Sequence, residues 1–167
     1  MTDDRRNILR EFPSIEEAIG AVVSLWNSDE QMLTGLAVNL LGLPDRELAK
    51  ALVWGKRWTV LRAQLVLAGE HRIPADADAA RAAFASLIEE ADRCNELRNI
   101  AAHCHFQGAA PPGHWVRMSL RVQKRRAVVV QEPVDADWFP IAYRALSRLV
   151  DQIMDCTNVL VACGAID

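Results

Sequence analysis

No two cysteines in this chain stand in a Cys-x-x-Cys pair, and only four occur, Cys94, Cys104, Cys156 and Cys163. That excludes the disulfide scaffolds of small secreted domains and the commonest zinc-finger spacing, so free thiols in a reducing compartment are expected. Long apolar runs are also missing. The longest, residues 18–26, is interrupted by Ser24 and falls far short of a membrane span. Positive charge is not in excess, with 19 Lys and Arg against 22 Asp and Glu, a net charge of -3 and a pI near 5.8. A protein that coats nucleic acid or an anionic membrane by bulk charge is thereby excluded, and any RNA contact has to come from a local basic surface. The opening residues Met1-Thr2-Asp3-Asp4-Arg5-Arg6 are charged and lead into no signal-type apolar core, which predicts a cytoplasmic protein. Internal repeats and low-complexity tracts are absent as well.

What is present is enough hydrophobic residue, 51% of 167, to bury one core, so residues 1–167 read as a single domain. Most of it is patterned for helix. Ser14 with Glu17 three residues on forms a capping box after Pro13. Ile15, Ala18, Ile19, Val22 and Trp26 follow at helical spacing, and Leu33, Leu36, Leu40 and Leu43 resume the stripe. The spacing predicts a helix over 14–42 with a kink or break at Asn27-Ser28-Asp29, ended by Gly42 and Pro44. A second helix is predicted from Asp45 to near Gly69, with Ala51, Trp54, Trp58, Leu61, Leu65 and Ala68 as its buried seam. A third, capped by Asp76 or Asp78, carries Ala80, Phe84, Leu87, Ala91 and Cys94 inward, and Leu97 and Ala101 extend that stripe to His103.

The period then changes. Residues 108–113, Gly-Ala-Ala-Pro-Pro-Gly, predict a turn or loop. From Trp115 to Val122 apolar and polar residues alternate, Lys124-Arg125-Arg126 reads as a loop, and residues 127–131 read as a return strand. The β-hairpin so formed spans about 114–132. A last helix follows Asp135 or Asp137, with Ala142, Leu146, Leu149, Ile153, Cys156, Leu160 and Cys163 as its seam. The expected fold is mainly all-α: a four-to-five-helix up-and-down bundle with a β-hairpin inserted before the last helix.

The chemistry concentrates in Arg98-Asn99-Ile100-Ala101-Ala102-His103, at the C-terminal end of the third helix. Asn99 and His103 are four apart and share a helix face, Asn95 lies one turn earlier and Glu96 on the flank. A guanidinium, an amide and an imidazole around one patch suit RNA cleavage without metal. An imidazole with a reference pKa of about 6.5 can take the proton of a ribose 2′-hydroxyl near neutrality. An Arg fork holds two phosphate oxygens as charge grows on them. Asn99 would fix the imidazole or the phosphate. One imidazole cannot easily act as both base and acid, so His105 or a second copy of His103 would complete the pair.

This Arg-Asn-x-x-Ala-His arrangement at a helix end, in a helical bundle, resembles the HEPN superfamily (higher eukaryotes and prokaryotes nucleotide-binding domain). The family signature is an Arg, often followed by a polar residue, and then a His after four to six residues. Arg98, Asn99 and His103 match it with four residues between Arg and His; many members have Gly after the His, where this chain has Cys104. The resemblance implies a homodimer that brings two such motifs together and a metal-independent endoribonuclease, with Arg98, Asn99 and His103 as catalytic residues; the residues around the motif and on the hairpin add Asn95, Glu96, His105, Arg117 and Arg121 as supporting or substrate-binding groups. It also implies RNA as substrate and an antitoxin or nucleotidyltransferase-like protein as partner. Other members are inactive and serve as dimeric modules that bind a protein or nucleotide.

Plainer readings stand beside these. Arg98 pairing with Glu96 or Asp92, and His103 closing the helix end, would make the motif structural. Cys94, His103, Cys104, His105 and His114 lack two-plus-two ligand spacing, so neither metal nor cofactor is expected. Arg117, Arg121, Lys124, Arg125 and Arg126 would steer a phosphate backbone, but Lys and Arg on an exposed strand are also routine protection against edge pairing. Lys56-Arg57 between Trp54 and Trp58 resembles a basic–aromatic platform, yet both indoles fit the seam, and core is the expected reading.

Overall fold

The computed structural model describes residues 12, 14–109, 114–123, 126–135 and 137–166, and at 109, 114 and 121–123 the backbone only. Among these residues five helices and three strands follow in the order α1 (Ile15–Leu41), α2 (Arg46–Val53), α3 (Trp58–Arg72), α4 (Asp78–His103), β1 (His105–Ala109), β2 (His114–Gln123), β3 (Arg126–Asp135) and α5 (Trp138–Ala162). The fold is mainly helical, with a small antiparallel sheet inserted before the last helix. No helix of the described residues is long and apolar enough to cross a membrane.

The sequence signals for α1 act as expected at both ends. Ser14 Oγ accepts from the Glu17 amide at 3.2 Å, and Gly42 leaves the helix at φ 58°. In between, the helix runs without the break expected at residues 27–29. Spacing explains this: Trp26, Asp29 and Leu33 fall on one face, so Asp29 is carried inward rather than into a turn.

The single second helix is instead two. Asp45 caps α2 by accepting from the amides of Glu47 and Leu48 at 3.0 and 3.1 Å. The chain turns extended at Trp54 (ψ 137°) and left-handed at Gly55 (φ 66°), and α3 starts at Trp58. Glycine alone takes a positive φ at no steric cost, so the break falls there. It also splits the predicted seam. Trp58, Leu61, Leu65 and Ala68 are buried, whereas Ala51 and Trp54 are exposed.

A third difference lies after α4. Gly108 and Ala109, expected in a turn, extend as the end of β1 and pair with Trp115 and His114. The hairpin thus becomes a three-stranded sheet in the order β1-β2-β3, and β3 runs on to Asp135. Residues 110–113, Lys124 and Arg125 lie outside the described residues.

The chain forms two compact units, Met1–Ser24 with Glu96–Ala145, and Leu25–Asn95 with Leu146–Asp167. In the first, Ala18, Val22, Ala101, Val134, Phe139 and Ala142 are buried. Phe106, on β1, packs on Trp138 and Phe139 at the start of α5, with ring centroids 6.0 and 5.0 Å away. In the second unit Trp26 meets Trp58 edge to face at 5.5 Å. Around them the stripes of α1, α3, α4 and α5 supply the predicted aliphatic core: Leu33, Leu40, Leu61, Leu65, Leu87, Leu146, Leu149 and Leu160 are all buried.

Candidate functional site

The motif Arg98–His103 occupies the last turns of α4, in the first unit. Ala101 is buried and Leu97 half-buried, so the helix presents its inner stripe to the core up to its end. Cys104 donates its amide to the Ile100 carbonyl at 3.1 Å, which closes the final turn. The chain then enters β1 at His105, and the Phe106–Trp138–Phe139 cluster fixes where that strand begins. Helix end and strand start are therefore both anchored by burial, with the two histidines on either side of the junction.

Arg98 and Asn99 are brought together. Arg98 Nη1 donates to Asn99 Oδ1 at 2.8 Å, and both residues are half-buried. Arg98 Nε is buried and has no hydrogen-bond partner among the described residues. Neither ion pair that would make Arg98 structural, with Glu96 or with Asp92, forms among the described residues: Asp92 takes Trp58 Nε1 at 2.8 Å and Arg62 Nε at 2.7 Å instead. His103 is exposed in the last turn of the helix, and His105 is exposed on β1 opposite Met118. Neither imidazole has a hydrogen-bond partner among the described residues. Glu96 is exposed; Asn95 is half-buried and belongs to the second unit.

The supporting cations divide. Arg117 stands directly across from Glu132 on β3 and donates to its Oε2 from Nε at 2.6 Å and from Nη2. That cross-strand pair, half-buried on both sides, neutralises Arg117 locally. Arg121 is placed by its backbone opposite Val128, and its side chain lies outside the described residues.

Two of the four thiols, the buried Cys94 and Cys156, are unsuited to nucleophilic work. Burial, helped by the nearby Asp29 carboxyl, pushes Cys94 up to about 11, and burial followed by Cys163 does the same for Cys156. A thiol so far from ionising at neutral pH packs rather than reacts. Among the described residues no group of three or more His, Cys, Asp or Glu is arranged to hold a metal ion.

Two features escaped the sequence reading. Asp29 is 0% exposed, neither of its oxygens has a partner among the described residues, and burial pushes its carboxyl up to about 7. Its three-and-four spacing from Trp26 and Leu33 was the available signal. The other is Trp54, whose exposure depends on a backbone break that periodicity does not register. Compared with protein-family models, with curated proteins and with solved structures, the chain finds no match in any of the three.

Proposed function

We propose that this chain is a HEPN-type endoribonuclease that cleaves RNA without metal, works as a cytoplasmic homodimer and serves as a toxin or defence effector. The observation that carries the reading is the Arg98–Asn99 hydrogen bond at the end of α4, with His103 exposed in the same closing turn. In this mechanism His103 takes the 2′-hydroxyl proton, the 2′-oxygen attacks the adjacent phosphorus, and the 5′-oxygen leaves. The products are a 2′,3′-cyclic phosphate and a 5′-hydroxyl. Arg98 supplies positive charge to the phosphate oxygens, and its bond to Asn99 fixes the plane of the guanidinium. The acid that protonates the leaving oxygen comes from His105 or from His103 of a second copy. An antitoxin or nucleotidyltransferase-like protein is the partner expected to restrain such an enzyme.

A second reading, a non-catalytic dimeric HEPN module that binds a protein or nucleotide, is favoured by one detail. Arg98 has its Nε buried and one Nη already engaged by Asn99, as a structural arginine would.

Incubation of the purified protein with RNA in excess chelator separates the two, run beside His103→Ala and Arg98→Ala. Cleavage by the parent, with cyclic-phosphate ends and loss in both variants, is the expected result. Silence of the parent, or equal cleavage by His103→Ala, overturns the enzyme reading.

A further inference from the structure

Within the second unit, the outward side of α1 and the neighbouring face of α2 enclose a continuous trough. It consists of three concavities of about 260, 150 and 300 Å³. The first two share Gln31, Thr34 and Trp54, and the last two share Val38, Asn39 and Arg46, so they join end to end. Along one wall Asn27, Gln31, Gly35 and Asn39 recur every four residues on α1. The opposite wall is Arg46, Lys50 and Trp54, again every four residues, with Lys56 beyond the turn.

Trp54 is the anomaly that gives the trough its chemistry. The residue is 63% exposed, held outside the core by the break at Gly55. An indole left in water forgoes a large burial energy, and a flat aromatic face beside cations suits stacking of another planar group. Arg46, Lys50 and Lys56 line the trough against one acid, Glu30. Arg46 is held by the Asn39 amide at 3.1 Å, and Lys50 by Glu47 at 2.7 Å in an open surface pair that a phosphate can displace. Gly35 leaves that wall open: a Cβ built there meets no heavy atom within 4 Å.

We infer that this trough binds a single-stranded polynucleotide, with bases stacking on Trp54, phosphates on the three cations and the amides of Gln31 and Asn39 at base edges. The local positive charge answers the phosphate backbone although the whole chain is acidic. The inference does not depend on the nuclease reading, because no residue of the 98–103 motif takes part.

The test is anisotropy of a labelled oligouridylate at low salt, with the full chain and three variants, and the same proteins on an oligodeoxythymidylate arm. Trp54→Ala, at an exposed position, is expected to weaken binding about tenfold or more. Lys56→Ala is expected to flatten the log–log salt dependence by about 0.7. Gly35→Glu, which has room and replaces a helix glycine, keeps the fold and abolishes binding. The deoxy polymer has no 2′-hydroxyl to attack and cannot be cut by the proposed mechanism, so loss of its binding in Trp54→Ala reports the trough whether or not the parent cleaves RNA, and failure of the nuclease reading and of this one are distinguishable. Comparable binding of the deoxy polymer supports a mode that reads stacking and phosphate. Parental affinity in both Trp54→Ala and Gly35→Glu overturns the site. A parent that binds neither polymer overturns it in favour of a protein partner for Trp54.

Discussion

Trp58 and Asp92 stand 34 positions apart in the chain, and the indole Nε1 of the first donates to the carboxylate of the second at 2.8 Å. The other carboxylate oxygen takes Arg62 Nε at 2.7 Å, so one side chain of α4 ties down both the first turn and the second turn of α3. Removing Asp92 strips a largely buried indole of its acceptor, whereas removing Arg62 breaks only a half-exposed ion pair. Asp92→Ala is therefore expected to cost about 1–2 kcal/mol and Arg62→Ala less than about 1 kcal/mol. Urea unfolding midpoints decide it; equal losses would contradict the assignment.

Asp29 makes stability depend on pH in an unusual direction. Its folded value of about 7 lies above the ordinary 3.8, so the folded state holds the proton more tightly. Its contribution is complete below pH 4 and is lost as pH rises through 7, a total of the order of 4 kcal/mol. Asn cannot ionise, so Asp29→Asn should be markedly more stable than the parent at pH 8 and near parity at pH 4. Parallel pH profiles of unfolding for the two proteins would refute this.

Gly69 of α3 faces the ring of Phe84 on α4 so closely that a Cβ there would run into it. Gly69→Ala is a better helix former by about 1 kcal/mol, yet overpacking should make it a net loss of about 1–3 kcal/mol. Phe84→Leu should recover part of that loss in the double variant. A neutral or stabilising Gly69→Ala in thermal unfolding would show that the helices have room to part.

The two ends of the candidate motif differ in their structural employment. His103 is exposed, so His103→Ala should change stability by less than about 0.5 kcal/mol. Arg98 is half-buried and bonded to Asn99, so Arg98→Ala should cost about 1 kcal/mol. Denaturant curves of both variants check the split, and a large loss in His103→Ala would disqualify it as a clean probe of chemistry.

Much of the fold was legible because it rests on periodicity and caps. The stripes Ala80–Phe84–Leu87–Ala91–Cys94 and Ala142–Leu146–Leu149–Ile153–Cys156–Leu160 are buried as their spacing requires, while Cys163, expected to end the second, lies beyond the helix and is half-buried. Ser14 and Asp45 cap where short polar side chains precede apolar repeats. The candidate site was legible as a list of residues on one helix end, since a helix fixes which side chains neighbour each other. Its partners were not: that Arg117 would be taken by Glu132 follows from the strand register, which no turn signal in the sequence announced.

The sequence by itself thus determined the helix faces, most of their limits and the position of Arg98, Asn99 and His103 in the last turns of α4, because all of these depend on interactions a few residues long. Only the tertiary structure decided that Trp54 stays in solvent while Trp58 enters the core, that Asp29 is buried without a partner, and that residues 105–109 join a sheet. The burial of Asp29 and the pairing of residues 105–109 depend on what distant segments leave room for, and the exposure of Trp54 on the chain break at Gly55; a periodic pattern carries no record of either.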